Sequence, residues 1–298
     1  DIDPKMIKQY SLNFPDTEAV CASITDLPDR SDLMEKWQDL ELLDGSPPCT
    51  VFSVMGKREE DWGVKRKFSE GQSEQILDTL FMSYLRVVES CRPKVFVAEN
   101  VEGMARGAAR GYVREVIAQA RILGYRVTVV SAKAGWYGVP QIRGRLFFVG
   151  VRDDVSQREF TLPIPTGQPV TVRQAFEGLD IPEGEKSWLN ESSQAYAKWK
   201  VNPGGGYGFS RGGNRMHEGF FARLSDDWTP KAIGASGQIS HPHEPRWLHP
   251  REFARLATFA DDYRFVHNQT TYARYVTGMS VPPFLMEAVS RRVRELYL

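Results

Sequence analysis

The sequence predicts an α/β protein with a mostly parallel sheet, helices on both of its faces, and a smaller inserted domain. Three observations predict it. In the first half, short apolar runs alternate with segments of helical periodicity, the pattern of strand–helix units. After about Asp154 this gives way to chain rich in Gly, Pro and Trp, with few periodic segments. From His249 onward helical periodicity returns.

The elements follow in order. "DPKMIKQYSLNF" reads as a helix and "LELLDG" as a strand. "SEQILDTLFMSYLRVVESC" spaces its apolar residues three and four apart, which predicts an amphipathic helix. "KVFVAEN" holds the continuous apolar run Val95–Ala98 and reads as a short buried strand. "GYVREVIAQARILGY" is a further helix, closed by Gly124. "RVTVVSAKAGWYG" and "RLFFVGVR" read as strands, and "SVPPFLMEAVSRRVRELYL" as a last helix with Pro near its start. The expected organisation is a first domain over 1–160, an inserted loop-rich domain over 161–248, and a return to the first domain over 249–298.

Composition narrows the function classes. The 298 residues are 41% hydrophobic, enough for a sizeable core, and 38 basic residues balance 38 acidic ones. Zero net charge argues neither for nor against nucleic acid, since a basic face can sit inside a neutral total. No run of 18 apolar residues is present, so no membrane span is expected. Three cysteines do not make a disulfide framework and point to a reduced, intracellular setting. Cys21 and Cys91 read as packing residues. His241 and His243 lack the Cys or carboxylate partners of a zinc site, so no metal is expected.

Cys49 stands apart. In "SPPCTVFS" it follows two prolines at the end of a predicted strand, where an open α/β sheet keeps its chemistry. Glu99 and Asn100 end the next strand, in "VFVAENVEGM". Arg143 and Arg145 alternate in "QIRGRLFF", which would aim both at the same cleft. A nucleophile, an acid and cationic anchors in one place make an enzyme site.

These motifs, with "HPREFARLATFADDYRF" and "GMSVPP", resemble in order and wording the DNA cytosine-5 methyltransferase family. The resemblance implies a Rossmann-like S-adenosylmethionine-dependent methyltransferase sheet with an inserted target-recognition domain. It also implies a location in the cytoplasm, on the nucleoid if the source is bacterial. It implies that Cys49 adds to C6 of a cytosine flipped out of double-stranded DNA, and that C5 receives a methyl group from S-adenosylmethionine. Glu99 would contact N3 and the exocyclic amine. Arg145 and Arg143 would hold O2 and order the loop, and Asn100 and Pro48 would shape the pocket. Asp1, Ile2, Ser23, Ile24, Leu80, Ser280 and Val281 fall at the cofactor contacts. Ser53, Arg211, Asn214 and Arg215 are the expected DNA contacts. A tRNA-acting branch of the family carries a Cys-Phe-Thr segment that this sequence lacks.

The sequence departs from the family pattern in places. The Phe-x-Gly-x-Gly-Gly turn for the cofactor is absent ahead of Asp1, with its strand and helix, on the order of thirty residues. Either the sequence begins late, a second polypeptide supplies the segment, or the chain is a catalytically silent relative. The family's usual Gln after the nucleophile is Thr50 here. Its adenine-binding Asp is Ser23, with Asp26 nearby, and Gly-Asn-Ser has become Gly278-Met279-Ser280.

Overall fold

The computed structural model describes residues 1–47, 80–107, 109–165, 167, 169–201, 221–227, 229–230, 232–235 and 237–298. They form two compact units. The first comprises 1–132, 144–164 and 289–298; the second comprises 133–143 and 165–288.

The first unit opens with helix α1 (Pro4–Asn13), which has Pro at its first position. Its N-cap is Asp3, whose Oδ1 accepts from Lys5 N at 2.9 Å. The short helix α2 (Ser31–Lys36) leads to strand β1 (Leu42–Gly45). Helix α3 (Leu80–Cys91) precedes strand β2 (Val95–Val101), in which all but Glu99 and Val101 are buried. Helix α4 (Ala109–Ile122) ends where Gly124 takes a φ of 83°, the left-handed conformation glycine adopts without strain. Strands β3 (Tyr125–Lys133) and β4 (Gly144–Arg152) complete the sheet, in the order β1-β2-β4-β3.

That sheet is mixed, with β4 reversed against its neighbour β2. β1 and β2 run parallel, but β4 lies antiparallel to β2, from Val95 opposite Val151 to Val101 opposite Arg145. The sequence did carry a signal for this. Only ten residues separate β3 from β4, too few for the helical crossover that parallel neighbours need.

Aromatic side chains dominate the core beneath the sheet. Phe81, Tyr84, Phe96, Tyr112, Tyr125 and Phe148 pack with Leu85, Val88, Val116 and Leu146. Phe81 and Phe148 meet edge to face, with centroids 4.9 Å apart. The Tyr84 hydroxyl lies 3.1 Å from the Leu43 carbonyl on β1 and 3.2 Å from the Val97 carbonyl on β2. A side chain at position 45 would run into its ring, so glycine is needed there. Cys91 is buried, with Sγ 3.6 Å from Met34 Sδ. Cys21, expected to pack, is exposed instead.

The second unit holds helices α5 (Val172–Phe176), α6 (Gln194–Val201), α7 (Pro250–Leu256) and α8 (Thr270–Met279). A parallel pair of strands, β5 (Phe221–Arg223) and β6 (Gln238–Ser240), lies among them. Its core joins Val172 and Ala175 to Leu224, Ile239, Leu248, Phe253, Leu256 and Ala273. Residues 249–288 therefore pack with the loop-rich region, whereas the sequence placed them with the first domain. Helical texture marked a change in local structure, but packing partners decide the division. Helix α9 (Pro283–Tyr297) spans residues of both units. Among the described residues no helix is long and apolar enough to cross a membrane.

Candidate active site

In the first unit the ends of β1 and β2 lie side by side. Parallel register sets Gly45 against Ala98; two residues further come Pro47, just past the end of β1, and Asn100 on β2. Asn100 is 5% exposed. Its Nδ2 donates to the Pro47 carbonyl at 3.0 Å, and its Oδ1 accepts from Val101 N at 2.9 Å. Asn100 thus fixes the strand end from which "PPC" departs. Pro48, Cys49 and Ser53 lie outside the described residues.

Glu99 and Arg145 come together as the sequence implied. Arg145 stands opposite Val101, two residues along from Glu99, so the two side chains share a face of the sheet. Arg145 Nε lies 2.5 Å from Glu99 Oε1, and both side chains are only about one-eighth exposed, at 12% and 13%. Burial pulls the Arg145 guanidinium below its ordinary value, while Glu99 and then Glu102 oppose that pull. This is a desolvated cation with a carboxylate beside it, able to bind a planar polar group that presents both an acceptor and a donor.

Arg143 has a different task. It lies just ahead of β4, so the alternation that would aim it with Arg145 does not apply. In the second unit it is 3% exposed. Its Nη1 donates to Ile233 O at 2.8 Å and its Nη2 to Gly278 O at 2.6 Å. Gln141 acts alongside. Its Nε2 donates to Leu256 O at 2.6 Å and its Oε1 accepts from Ile233 N at 2.8 Å. Gln141 was noted in the sequence only as part of a motif; its near-complete burial gives it an anchoring part that spacing could not reveal.

Among the candidate cofactor residues of the first unit, Asp1 and Ile2 lie beside the segment that leads into Ser23. Asp1 O accepts from Ala22 N at 3.0 Å, and Cys21 Sγ lies 3.7 Å from Ile2 O, so residues 1–2 run beside 21–22 and lead into Ser23. Ser23 Oγ is 2.7 Å from Thr25 Oγ1, which donates to Asp26 Oδ1 at 2.8 Å. A chain of hydroxyls therefore links Ser23 to the nearby carboxylate. Ile24 packs on the core, and Leu80 is buried at the start of α3. An exposed acid, a hydroxyl and two isoleucines are side-chain types that suit a nucleoside: a carboxylate for a ribose diol, apolar groups for a purine. In the second unit Ser280 caps α8, its Oγ donating to Val276 O at 2.6 Å, with Val281 next to it.

Burial and the Arg246 charge push His241 down to about 4, and its Nδ1 accepts from His243 N and Glu244 N. Among the described residues no group of three or more His, Cys, Asp or Glu could hold a metal ion. Arg211, Asn214 and Arg215 lie outside the described residues.

A family model for C-5 cytosine-specific DNA methylases matches residues 1–295. The Type II methyltransferase M1.HphI of Haemophilus parahaemolyticus is 29% identical over 310 aligned positions, covering 99% of this chain and 80% of its own length. M.BbvI of Brevibacillus brevis is 30% identical, with coverages of 97% and 80%. Two solved structures share the fold. A prophage-encoded E. coli chain superposes with a TM-score of 0.72 at 23% identity, over 99% of this chain and 91% of that one. DNMT2 of Spodoptera frugiperda gives 0.66 at 16% identity, over 99% and 90%. These comparisons lend no support to a second polypeptide.

Proposed function

We propose a mechanism for this chain as what it is, a member of the C-5 cytosine-specific DNA methylase family and a DNA cytosine-5 methyltransferase. The observation that carries the proposal is the buried Glu99–Arg145 pair, set beside the Asn100–Pro47 bond at adjacent strand ends.

A cytosine stacked in a duplex cannot present C6 to a thiol, so the base is flipped out toward these strand ends. Arg145 holds its O2. Glu99 meets N3 and the exocyclic amine and hands N3 a proton as the thiolate arrives. The Cys49 sulfur forms a bond to C6, which makes C5 nucleophilic. Asn100 holds the Pro47 carbonyl, and Pro48 restricts the backbone just before the nucleophile. S-adenosylmethionine, when bound, supplies the methyl group. Asp1 would hold its ribose and Ile2, Ser23 and Ile24 its adenine, with Leu80, Ser280 and Val281 as the further contacts that the family resemblance implies. Loss of the C5 proton to a base then restores the C5–C6 double bond and expels Cys49. Ser53, Arg211, Asn214 and Arg215 contact the DNA, the last three from a Gly-rich stretch of sequence that reads the target.

The test is covalent trapping on duplex DNA carrying 5-fluorocytosine, in the presence of S-adenosylmethionine. Fluorine at C5 cannot leave as a proton, so the sulfur–C6 bond persists. An adduct with the native chain, lost in Cys49→Ser, is the expected result. A folded native chain that methylates cytosine without forming the adduct would sink the mechanism.

A further inference from the structure

From the end of β2 the sequence reads "VEGMARGAARGYVREV", which sets Arg106, Arg110 and Arg114 four residues apart. Arg106 caps the 3₁₀ turn Glu102–Ala105 that follows β2. Arg110 lies in the first turn of α4 and Arg114 in the second. All three are exposed. Arg110 Nε donates to Ala105 O at 3.1 Å, so its side chain reaches back over that turn, toward the strand end that carries Glu99. Among the described residues no carboxylate pairs with any of the three. Glu102 is engaged elsewhere, its Oε1 accepting from Ser131 Oγ at 2.5 Å. Glu115 directly follows Arg114 and so points about 100° around the helix from it. Other surface arginines do have acidic partners: Arg30 has Asp32, Arg152 has Asp39 and Asp154, and Arg255 has Asp261.

Left to itself this row is unfavourable. Like charges four apart on a helix, as at 110 and 114, repel each other. A cation in the first turn, as at 110, opposes the helix dipole. Sequences break such local rules where function requires it. We propose that Arg106, Arg110 and Arg114 form a phosphate-contact row that holds the backbone of the substrate duplex beside the catalytic strand ends. This rests on the reading that the flipped cytosine is received next to Glu99 and Arg145. A run of phosphates engages every member of such a row, whereas a single carboxylate would neutralise only one. Contacts of this kind fix the position of the duplex and carry no sequence information, a task separate from that of Arg211, Asn214 and Arg215.

The test is duplex binding followed by fluorescence anisotropy across a potassium chloride series, which needs no knowledge of the recognition sequence. Each neutralised phosphate contributes about 0.9 to the slope of log affinity against log salt. Arg114→Gln should therefore lose about 0.9 of that slope, and the triple variant Arg106→Gln, Arg110→Gln, Arg114→Gln about 2.7. The disadvantage of the triple variant should shrink about fortyfold between 50 and 200 mM salt. Arg30→Gln, at an arginine already paired, should keep the native slope. An unchanged slope in the triple variant, the behaviour of a merely solvated face, would overturn the proposal, as would an equal loss in Arg30→Gln. Arg114→Gln should melt no lower than the native chain, because it relieves repulsion; a clear fall would mark a structural role and count against the row. Trapping on the 5-fluorocytosine duplex separates the row from the catalytic reading. A native chain that forms no adduct, with the slope still lost in the triple variant, removes the catalytic reading and leaves the row as a DNA surface. An adduct with an unchanged slope removes the row alone.

Discussion

Replacing Arg143 with Met should unfold the second unit at markedly lower denaturant. The guanidinium is 3% exposed and donates to two backbone carbonyls, Ile233 O at 2.8 Å and Gly278 O at 2.6 Å. Hydrogen bonds to a charged group contribute roughly 1.5–3 kcal/mol each, and the two acceptors would be left buried without these donors. The loss is therefore about 3–6 kcal/mol, against a stability of roughly 5–15 kcal/mol for a typical domain. Arg143→Lys should fall between, because one ammonium cannot reproduce a planar fork that spans two carbonyls. The assay is urea unfolding followed by tryptophan fluorescence. Trp136, Trp188, Trp199 and Trp247 belong to the second unit, and Trp37 to the first. A midpoint in Arg143→Met equal to that of the native chain, with methylation lost, would refute the anchoring role. It would return Arg143 to the base-contacting part implied by the family resemblance.

Glu99→Gln should reduce adduct formation by about 10²–10⁴, the usual worth of a positioned acid, while S-adenosylmethionine binding by calorimetry stays unchanged. His241 makes stability fall with acid. The unfolded imidazole takes its proton near 6.5 and the folded one only near about 4, so the unfolded chain binds more protons in between. Stability should drop by roughly 3 kcal/mol as pH falls through that window. His241→Asn, which keeps an acceptor for His243 N and Glu244 N, should flatten the curve there in melts run from pH 7 to pH 4. Gly278→Ala should destabilise by about 1–3 kcal/mol or more, because its Cβ would strike the backbone of Gly234 and Ala235, which no rotamer change relieves. Thermal denaturation would show it, and a native melting curve would contradict that packing.

Much of the site was legible from the order of motifs. Glu99 and Arg145 meet as expected because the side chains of a strand obey a period of two, and both lie on strands. Arg143 escaped the same rule because regular structure begins one residue later, at Gly144. The parallel register of β1 and β2 followed from strand–helix alternation. The reversal at β4 depended on the length of a connection, which periodicity does not encode. The meeting of the Glu102 carboxylate with Ser131 and Gly144 had no sequence signal, since no local pattern joins residues that far apart. Cys21 shows the converse. Residue type favours burial, but the chain beside Ile2 leaves its sulfur exposed.

The discontinuity of the second unit bears on how such proteins can be recombined. Residues 133–143 belong to it as fully as 165–288 do. Gln141 and Arg143 clasp carbonyls at 233, 256 and 278, and Ile142 N donates to Pro230 O at 2.7 Å. A chimera that exchanged only 161–248 would part the clasp from half of its acceptors. The inheritable module is two segments, and a crossover that respects it must fall between Arg143 and Gly144. That junction is also where an arginine serving the scaffold gives way to one proposed to serve the chemistry.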